Sequence, residues 1–123
     1  MLKPAETIAI LQKQPDAQSF AAGEVIFTEG ETGNVMYGIL EGEVELLVDG
    51  KVVETIIRGD VFGEGALVHV DHQRQSTAIA KTDCKLASLD QNRFLFAIEN
   101  TPMFAIEVMR SYSDRLYRFK HIS

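Results

Sequence analysis

Between Ser19 and Asp90 the chain is a succession of short β-branched and aromatic runs, each cut by a glycine-bearing turn. This spacing restricts the fold more than any other feature. Glu24-Val25-Ile26-Phe27 is followed by Glu29-Gly30-Glu31-Thr32-Gly33. Met36-Tyr37-Gly38-Ile39-Leu40 runs into Glu41-Gly42, and then comes Val44-Glu45-Leu46-Leu47-Val48. Asp49-Gly50 is a strong two-residue hairpin signal, so Val52-Val53-Glu54-Thr55-Ile56-Ile57 is expected to pair back across it. Further strands are expected at Ser76–Ala80 and Lys85–Leu89. Turn signals at this interval indicate a compact all-β sandwich or roll.

The flanks have helical texture. From about Pro4 to Gln14 the apolar residues Ile8, Ile10 and Leu11 fall on one side, and Pro15 disfavours helix at the residue before it. Asp90 is placed to cap a helix through about Asn100, with Phe94, Leu95 and Ile98 as its apolar side. Thr101-Pro102 restarts the chain, Thr as N-cap and Pro at the first helical position of a helix running to about Phe119. In that last helix Ala105, Met109, Tyr112, Leu116 and Phe119 are spaced four, three, four and three. The stripe covers barely two heptads, and two readings stay open: a seam for a second copy, or packing on the parent domain. At 123 residues the chain suits one domain, 1–123, with the roll at about 19–90 and the C-terminal helices at about 91–119.

Charge and residue counts exclude several classes of function. The formal net charge of −6, from 12 Lys+Arg against 18 Asp+Glu, gives no global attraction to nucleic acid. Arg110, Arg115, Arg118 and Lys120 read as a solvated helix end whose cations favour the C-terminal dipole. Cys84 is the only cysteine, so no intrachain disulfide or thiolate zinc cluster forms; it reads as a small buried or half-buried residue. His69, Asp71 and His72 share one polar loop while His121 sits in the tail, a distribution that suits an exposed loop better than a metal site. Ser76-Thr77 lacks a Gly-x-Ser-x-Gly elbow, and no metal or positioned base for hydrolysis is visible, so no enzyme is expected. The start lacks the apolar run of a signal peptide, and no stretch approaches the roughly 18 uncharged apolar residues that span a bilayer. A cytoplasmic protein is the expectation.

One segment carries recognisable chemistry: Asp60-Val61-Phe62-Gly63-Glu64-Gly65-Ala66-Leu67, a polar loop, then Arg74-Gln75-Ser76-Thr77. Gly63 allows a tight turn and the close approach of a ligand. A single helical turn from Glu64 to Leu67 would present free N–H groups that favour an anion. Arg74, ten residues after Glu64, adds a guanidinium suited to bidentate contact and is the one cation of the segment. A carboxylate such as Glu64 accepts hydrogen bonds from a sugar hydroxyl. Together they call for a ligand bearing a phosphate and a hydroxyl a few ångströms apart.

The segment resembles the phosphate-binding cassette of the cyclic-nucleotide-binding domain family, with its Phe-Gly-Glu-x-Ala-Leu, short loop and Arg. The resemblance extends to nearly the whole chain. Ala22-Gly23-Glu24-Val25-Ile26-Phe27 with Glu29-Gly30 and Gly33 is similar to the family's first turns, and Tyr37-Gly38-Ile39-Leu40-Glu41-Gly42-Glu43-Val44 to its central strands. It implies a mainly β fold, a double-stranded β-helix (jelly-roll-like β-roll) with a short N-terminal helix and two C-terminal helices. It implies that Gly63 and Glu64 meet the ribose, and that Arg74 pairs with the cyclic phosphate. Backbone N–H groups at Gly65 and Ala66 and side chains at Gln75 and Ser76 would assist. The last helix would close over the base, with Phe119 or Tyr117 stacking on it and Phe119 and Lys120 at the positions that contact the base in relatives. The implied ligand is cAMP, with cGMP as the alternative, and occupancy would move the C-terminal helices.

Three departures stand out. The loop from Val68 to Gln73 is one residue longer than the commonest form, Gln73 replaces a frequent proline, and Gln75 replaces a small residue after the arginine. These favour a second reading, a ligand-free domain kept for dimerisation or partner docking. Glu64 and Arg74 favour the sensor, although such a pair can also be a plain structural ion pair. The chain ends at Ser123 without a helix-turn-helix, which suggests a sensor without built-in output or a fragment of something longer. A homodimer through the last helix and an effector protein are the expected partners, with no direct nucleic acid and no membrane.

Overall fold

The computed structural model describes residues 3–13 and 16–121. Among them lie two four-stranded antiparallel sheets. The first has the order β1 (Gln18–Phe20), β8 (Cys84–Asp90), β3 (Val35–Glu41), β6 (Val61–Phe62). The second has the order β2 (Val25–Phe27), β7 (Thr77–Ala80), β4 (Val44–Val48), β5 (Lys51–Ile56). The helices are α1 (Pro4–Leu11), the single turn α2 (Gly65–Val68), α3 (Gln91–Asn100) and α4 (Pro102–Lys120). The β-roll with flanking helices is present as expected. Its hairpin turn is the one Asp49-Gly50 encodes: both residues are left-handed, with φ of 52° and 77°, and Val48 faces Lys51 across it. A turn of this hand matches the twist of the strands it joins.

Period-two alternation sends the residues of β3 to two different cores. Tyr37 and Ile39 point between the sheets, where they meet Phe27, Val44, Phe62 and Leu86. Met36 points the other way, into a second core with Val61, Leu89, Ile8, Phe104 and Val108. Each sheet thus has one face on the shared core, while the first sheet is also covered on its back by helices. Gly38 marks where α1 docks on that back. A Cβ at Gly38 would lie 2.7 Å from the Ala5 Cα, and Ala5 N–H donates to the Gly59 carbonyl at 3.1 Å.

The helices differ from the sequence reading in phase. In α1 the buried residues are Pro4, Ala5 and Ile8, whereas Ile10 is exposed; the helix ends at Leu11, and the expected boundary at Gln14 and Pro15 lies outside the described residues. The Asp90 carboxylate caps α3 as expected, accepting from the Arg93 N–H at 2.9 Å. Its buried residue is Ala97, and Leu95 faces outward. Thr101 starts α4 through its carbonyl, which accepts from Phe104 N–H, and its side chain makes no cap bond. The buried face of α4 is Phe104, Val108, Ser111 and Arg115, one residue out of step with the heptad stripe. Met109, Leu116 and Phe119 are exposed while Tyr112 packs against the second core, so only part of the stripe is left uncovered. No helix among the described residues is long and apolar enough to cross a membrane.

The close approach at Gly38 has a measurable consequence. Gly38→Ala places a methyl group against backbone that cannot yield without lifting α1, so it should cost about 1–3 kcal/mol, as overpacked cores do. Urea unfolding of the two proteins checks this; an unchanged midpoint would show that α1 is not held against β3.

Candidate functional site

The cassette residues surround one cavity. Gly63, Glu64, Gly65, Ala66, Arg74, Gln75 and Ser76 all line a space of about 160 Å³ between the roll and α4. Gly63 has φ of 79°, which turns the chain from β6 into α2 where a side-chain-bearing residue would be strained. In α2 the N–H groups of Leu67 and Val68 reach back to the Glu64 carbonyl. Gly65 and Ala66 carry the earlier N–H groups of that turn, which lack intrahelical acceptors by helix geometry, and both sit on the cavity wall.

Arg74 is fixed from three directions. Its backbone is stitched to the β2–β3 turn, with Arg74 N–H donating to the Glu31 carbonyl at 2.8 Å and Gly30 N–H to the Arg74 carbonyl at 2.9 Å. Its guanidinium lies over the Phe27 ring, 4.0 Å from the centroid, and Nη1 donates to the Gly63 carbonyl at 2.9 Å. Gly33 supplies the room, since a Cβ there would collide with the Arg74 side chain. The guanidinium is buried, its Nε has no hydrogen-bond partner, and among the described residues no carboxylate lies within ion-pair distance of it. Burial pulls its pKa below the ordinary arginine value, and Tyr37, Glu31 and Glu64 oppose that shift. A buried guanidinium on a cavity wall has the charge and the donor geometry to hold an anion.

Glu64 does not pair with Arg74, so the structural ion pair is ruled out for this arrangement. Instead its Oε1 accepts a hydrogen bond from the Tyr112 hydroxyl of α4. Next to it Arg115 stacks over the Tyr112 ring, 4.1 Å from the centroid. Arg115 also donates to both oxygens of Glu54, at 2.6 and 3.1 Å, and to the Val61 carbonyl at 2.6 Å. Ser111 donates to Asp60 at 2.8 Å. Arg115 is therefore a buried second cation on the cavity wall, correcting two readings: the C-terminal cations are not all solvated, and Arg74 is not alone.

Phe119 falls outside this cavity. It lines a neighbouring groove of about 530 Å³ between β5 and α4, with Val52, Val53 and Leu116. The groove and the cavity share Glu54, Tyr112 and Arg115 as their common wall. Tyr117 is not on either wall; it stacks with His121 at a centroid distance of 4.0 Å. The lengthened loop folds down on the cassette: the His72 ring nitrogen bonds with the Ala66 carbonyl at 2.8 Å, and His69 joins Gln75 on the cavity wall. Sequence reading missed Tyr112, Arg115 and Glu54 as site residues. The available signal was that a helix with Ser111 and Arg115 at the spacing of Phe104 and Val108 buries polar groups, which then need partners across the interface.

Comparison with known proteins identifies the family and the fold. The family described as cyclic nucleotide-binding domain matches residues 17–101. The cAMP-dependent protein kinase regulatory subunit of Schizosaccharomyces pombe is 41% identical over 93 residues, 75% of this chain and 21% of that protein. The subunit of the same name from Emericella nidulans is 38% identical over 104 residues, 80% of this chain and 25% of that one. The chain thus spans about a fifth to a quarter of the length of these curated relatives. Among solved structures, cAMP-bound PfPKA-R matches with a TM-score of 0.64 at 27% identity over 76% of this chain and 36% of that one. The Thermus thermophilus catabolite activator protein shares the fold, with a TM-score of 0.74 at 22% identity over 94% of this chain and 55% of that one.

The Tyr112–Glu64 contact gives stability an alkaline limit. Burial first, then the Glu64 charge, hold the Tyr112 pKa well above its ordinary value, whereas the unfolded chain ionises near pH 10. The contact's stabilisation is therefore complete below about pH 10 and is lost as pH climbs toward the folded-state value. Urea melts at successive pH values should show a steeper alkaline loss in the wild type than in Tyr112→Phe. Parallel curves would mean that the phenol is not buried against the carboxylate.

Proposed function

Because the chain belongs to the cyclic nucleotide-binding domain family, we propose that it binds a cyclic purine nucleotide, cAMP in the first place and cGMP as the alternative, and acts as a regulatory module. The observation that carries this reading is the buried Arg74 guanidinium, with no carboxylate at ion-pair distance among the described residues, on the wall of the same cavity as Glu64. The phosphate goes to Arg74, assisted by the first N–H groups of α2 at Gly65 and Ala66 and by Gln75 and Ser76. Glu64, beside Gly63, accepts from the ribose 2′-hydroxyl. The base extends into the β5–α4 groove, where Phe119 supplies an aromatic wall. Occupancy then shifts the population of α4 positions, since a ligand moves an equilibrium only by its differential affinity for the two states.

Calorimetric titration with cAMP and cGMP tests the proposal directly. Arg74→Ala leaves the phosphate without its charged partner and should weaken binding by at least about 2 kcal/mol, roughly thirtyfold. Equal affinities would remove Arg74 from the site. A wild type that takes up neither nucleotide would leave the ligand-free interaction module as the reading.

The output runs through α4. Met109 and Leu116 are exposed at heptad spacing on the helix that also closes the site, and a two-fold axis would set the stripe against its own copy. A homodimer through α4 follows, with an effector protein reading its state. Replacing Met109 and Leu116 by Glu would bury like charges at that seam and should give a folded monomer by light scattering. A wild type that is monomeric at high concentration, with and without cAMP, would sink the dimer.

A further inference from the structure

The loop that joins α2 to β7 brings a titratable ring to the cassette cavity. The His69 backbone is held on both sides of its Cα: its N–H donates to the Gly65 carbonyl at 2.9 Å, and its carbonyl accepts from His72 N–H at 3.2 Å. The rest of the loop is pinned to the cassette and to the β2–β3 turn. The His72 ring bonds with the Ala66 carbonyl, the Asp71 carboxylate accepts from Gln73 N–H at 3.0 Å, and Gln73 bridges to Thr32. These contacts hold His72 in the left-handed region, with φ of 57°, where a residue with a side chain is uncommon. So placed, the loop lays the edge of the His69 ring against Gly65. Its Cδ2 and Nε2 would lie 3.3 and 3.7 Å from a Cβ at Gly65, and the Gln75 side chain 3.5 Å from it. Gly65 carries one of the free N–H groups of α2, so that donor, the imidazole and Arg74 border one space.

We propose that His69 is an ionisable phosphate-binding residue, its protonated imidazole pairing with the anion that Arg74 holds. The inference rests on the nucleotide-binding reading and adds to it a residue and a pH dependence. The balance of charge around the cavity supports it. Arg74 and, on α4, Arg115 are matched in number by Glu64 at the start of α2 and Glu54 on β5. A phosphate therefore adds a negative charge that these four groups do not offset. Tyr112 of α4 also lines the space, and burial keeps its phenol protonated where imidazoles titrate. On the loop itself, Asp71 and His72 are engaged with Gln73 N–H and the Ala66 carbonyl. His69 is left as the group whose charge can follow the ligand, and its exposure to solvent supplies the proton. A cyclic phosphate diester keeps its single negative charge across the imidazole range, so the proton taken up on binding goes to the ring. An anion beside an imidazole favours the charged form, so binding is tightest where the ring is protonated and weakens as pH rises through that range.

Calorimetry with cAMP between about pH 8 and about pH 5.5 tests the assignment. The wild type should bind about fivefold more tightly at the acid end, the value of one partly exposed ion pair. Titrations at about pH 6.5 in two buffers of different ionisation enthalpy should show net proton uptake on binding. His69→Gln keeps a polar side chain without a titratable ring. It should match the wild type at about pH 8 and show neither the tightening nor the uptake. Proton uptake that persists in His69→Gln, or a wild type whose affinity is flat across the range, overturns the role of His69. Binding that is still lost in Arg74→Ala would then leave the nucleotide reading standing. If the wild type binds neither cAMP nor cGMP at any of these pH values, the nucleotide reading fails and the role of His69 with it.

Discussion

A guanidinium buried against an aromatic ring, with no carboxylate to neutralise it, imposes conditions on everything around it. Arg74 lies over Phe27, and Phe27 is held in a three-ring cluster with Tyr37 and Phe62, whose centroids are 5.4–6.2 Å apart. Those three residues come from β2, β3 and β6, strands of both sheets, so the closure of the roll and the placement of the cation are one packing problem. The positive charge is tolerated because the ring faces attract it and the Gly63 carbonyl accepts from it. These partners leave Nε unsatisfied.

The underside of α4 shows the complementary arrangement, carboxylates awaiting donors. Asp60, Glu54 and Glu64 line the surface on which the helix rests, and the helix answers with Ser111, Arg115 and Tyr112. Phe104 and Val108, nearer its N-terminus, sit in the apolar core with Met36 and Leu89. The helix is thus anchored at one end by apolar burial, which is non-directional and hard to exchange, and at the other by hydrogen bonds to the roll. The boundary between the two lies close to the cassette, at Val108 and Ser111.

This division explains which parts were legible in the sequence. The strands were, because alternation and turn dipeptides are local signals: Asp49-Gly50 sets its own hairpin with no help from distant residues. Most of the cassette was legible too, since Gly63 to Ala66 and Arg74 to Ser76 are local runs that fold onto one wall. The phase of α4 was not. Apolar periodicity selects Ala105, Met109, Tyr112, Leu116 and Phe119, but the surface beneath the helix is rich in acceptors at Asp60, Val61 and Glu54. The helix rotates to bury Ser111 and Arg115 and leaves Met109 and Leu116 outside. Periodicity assumes an apolar partner surface, and here that assumption fails in the second half of the helix. Ile10 and Leu95 were misplaced for a related reason: beside Ile8 and Phe94, part of the contact on α1 and α3 is made by small residues, Ala5 and Ala97, whose low hydrophobicity gives little periodic signal.

A polar clamp of this kind has a physical advantage over an apolar one in a regulatory domain. An apolar helix face lifted from its seat exposes surface at roughly 25 cal/mol per Å², and a small ligand has few contacts with which to compensate. A hydrogen bond exchanged for another of the same type changes the free energy little, because the acceptor is satisfied before and after. On the proposed function, Glu64 would exchange the Tyr112 phenol for a sugar hydroxyl at little net cost, and the drive toward binding would come from the phosphate on Arg74. A ligand moves a population only by such a difference in affinity between two arrangements.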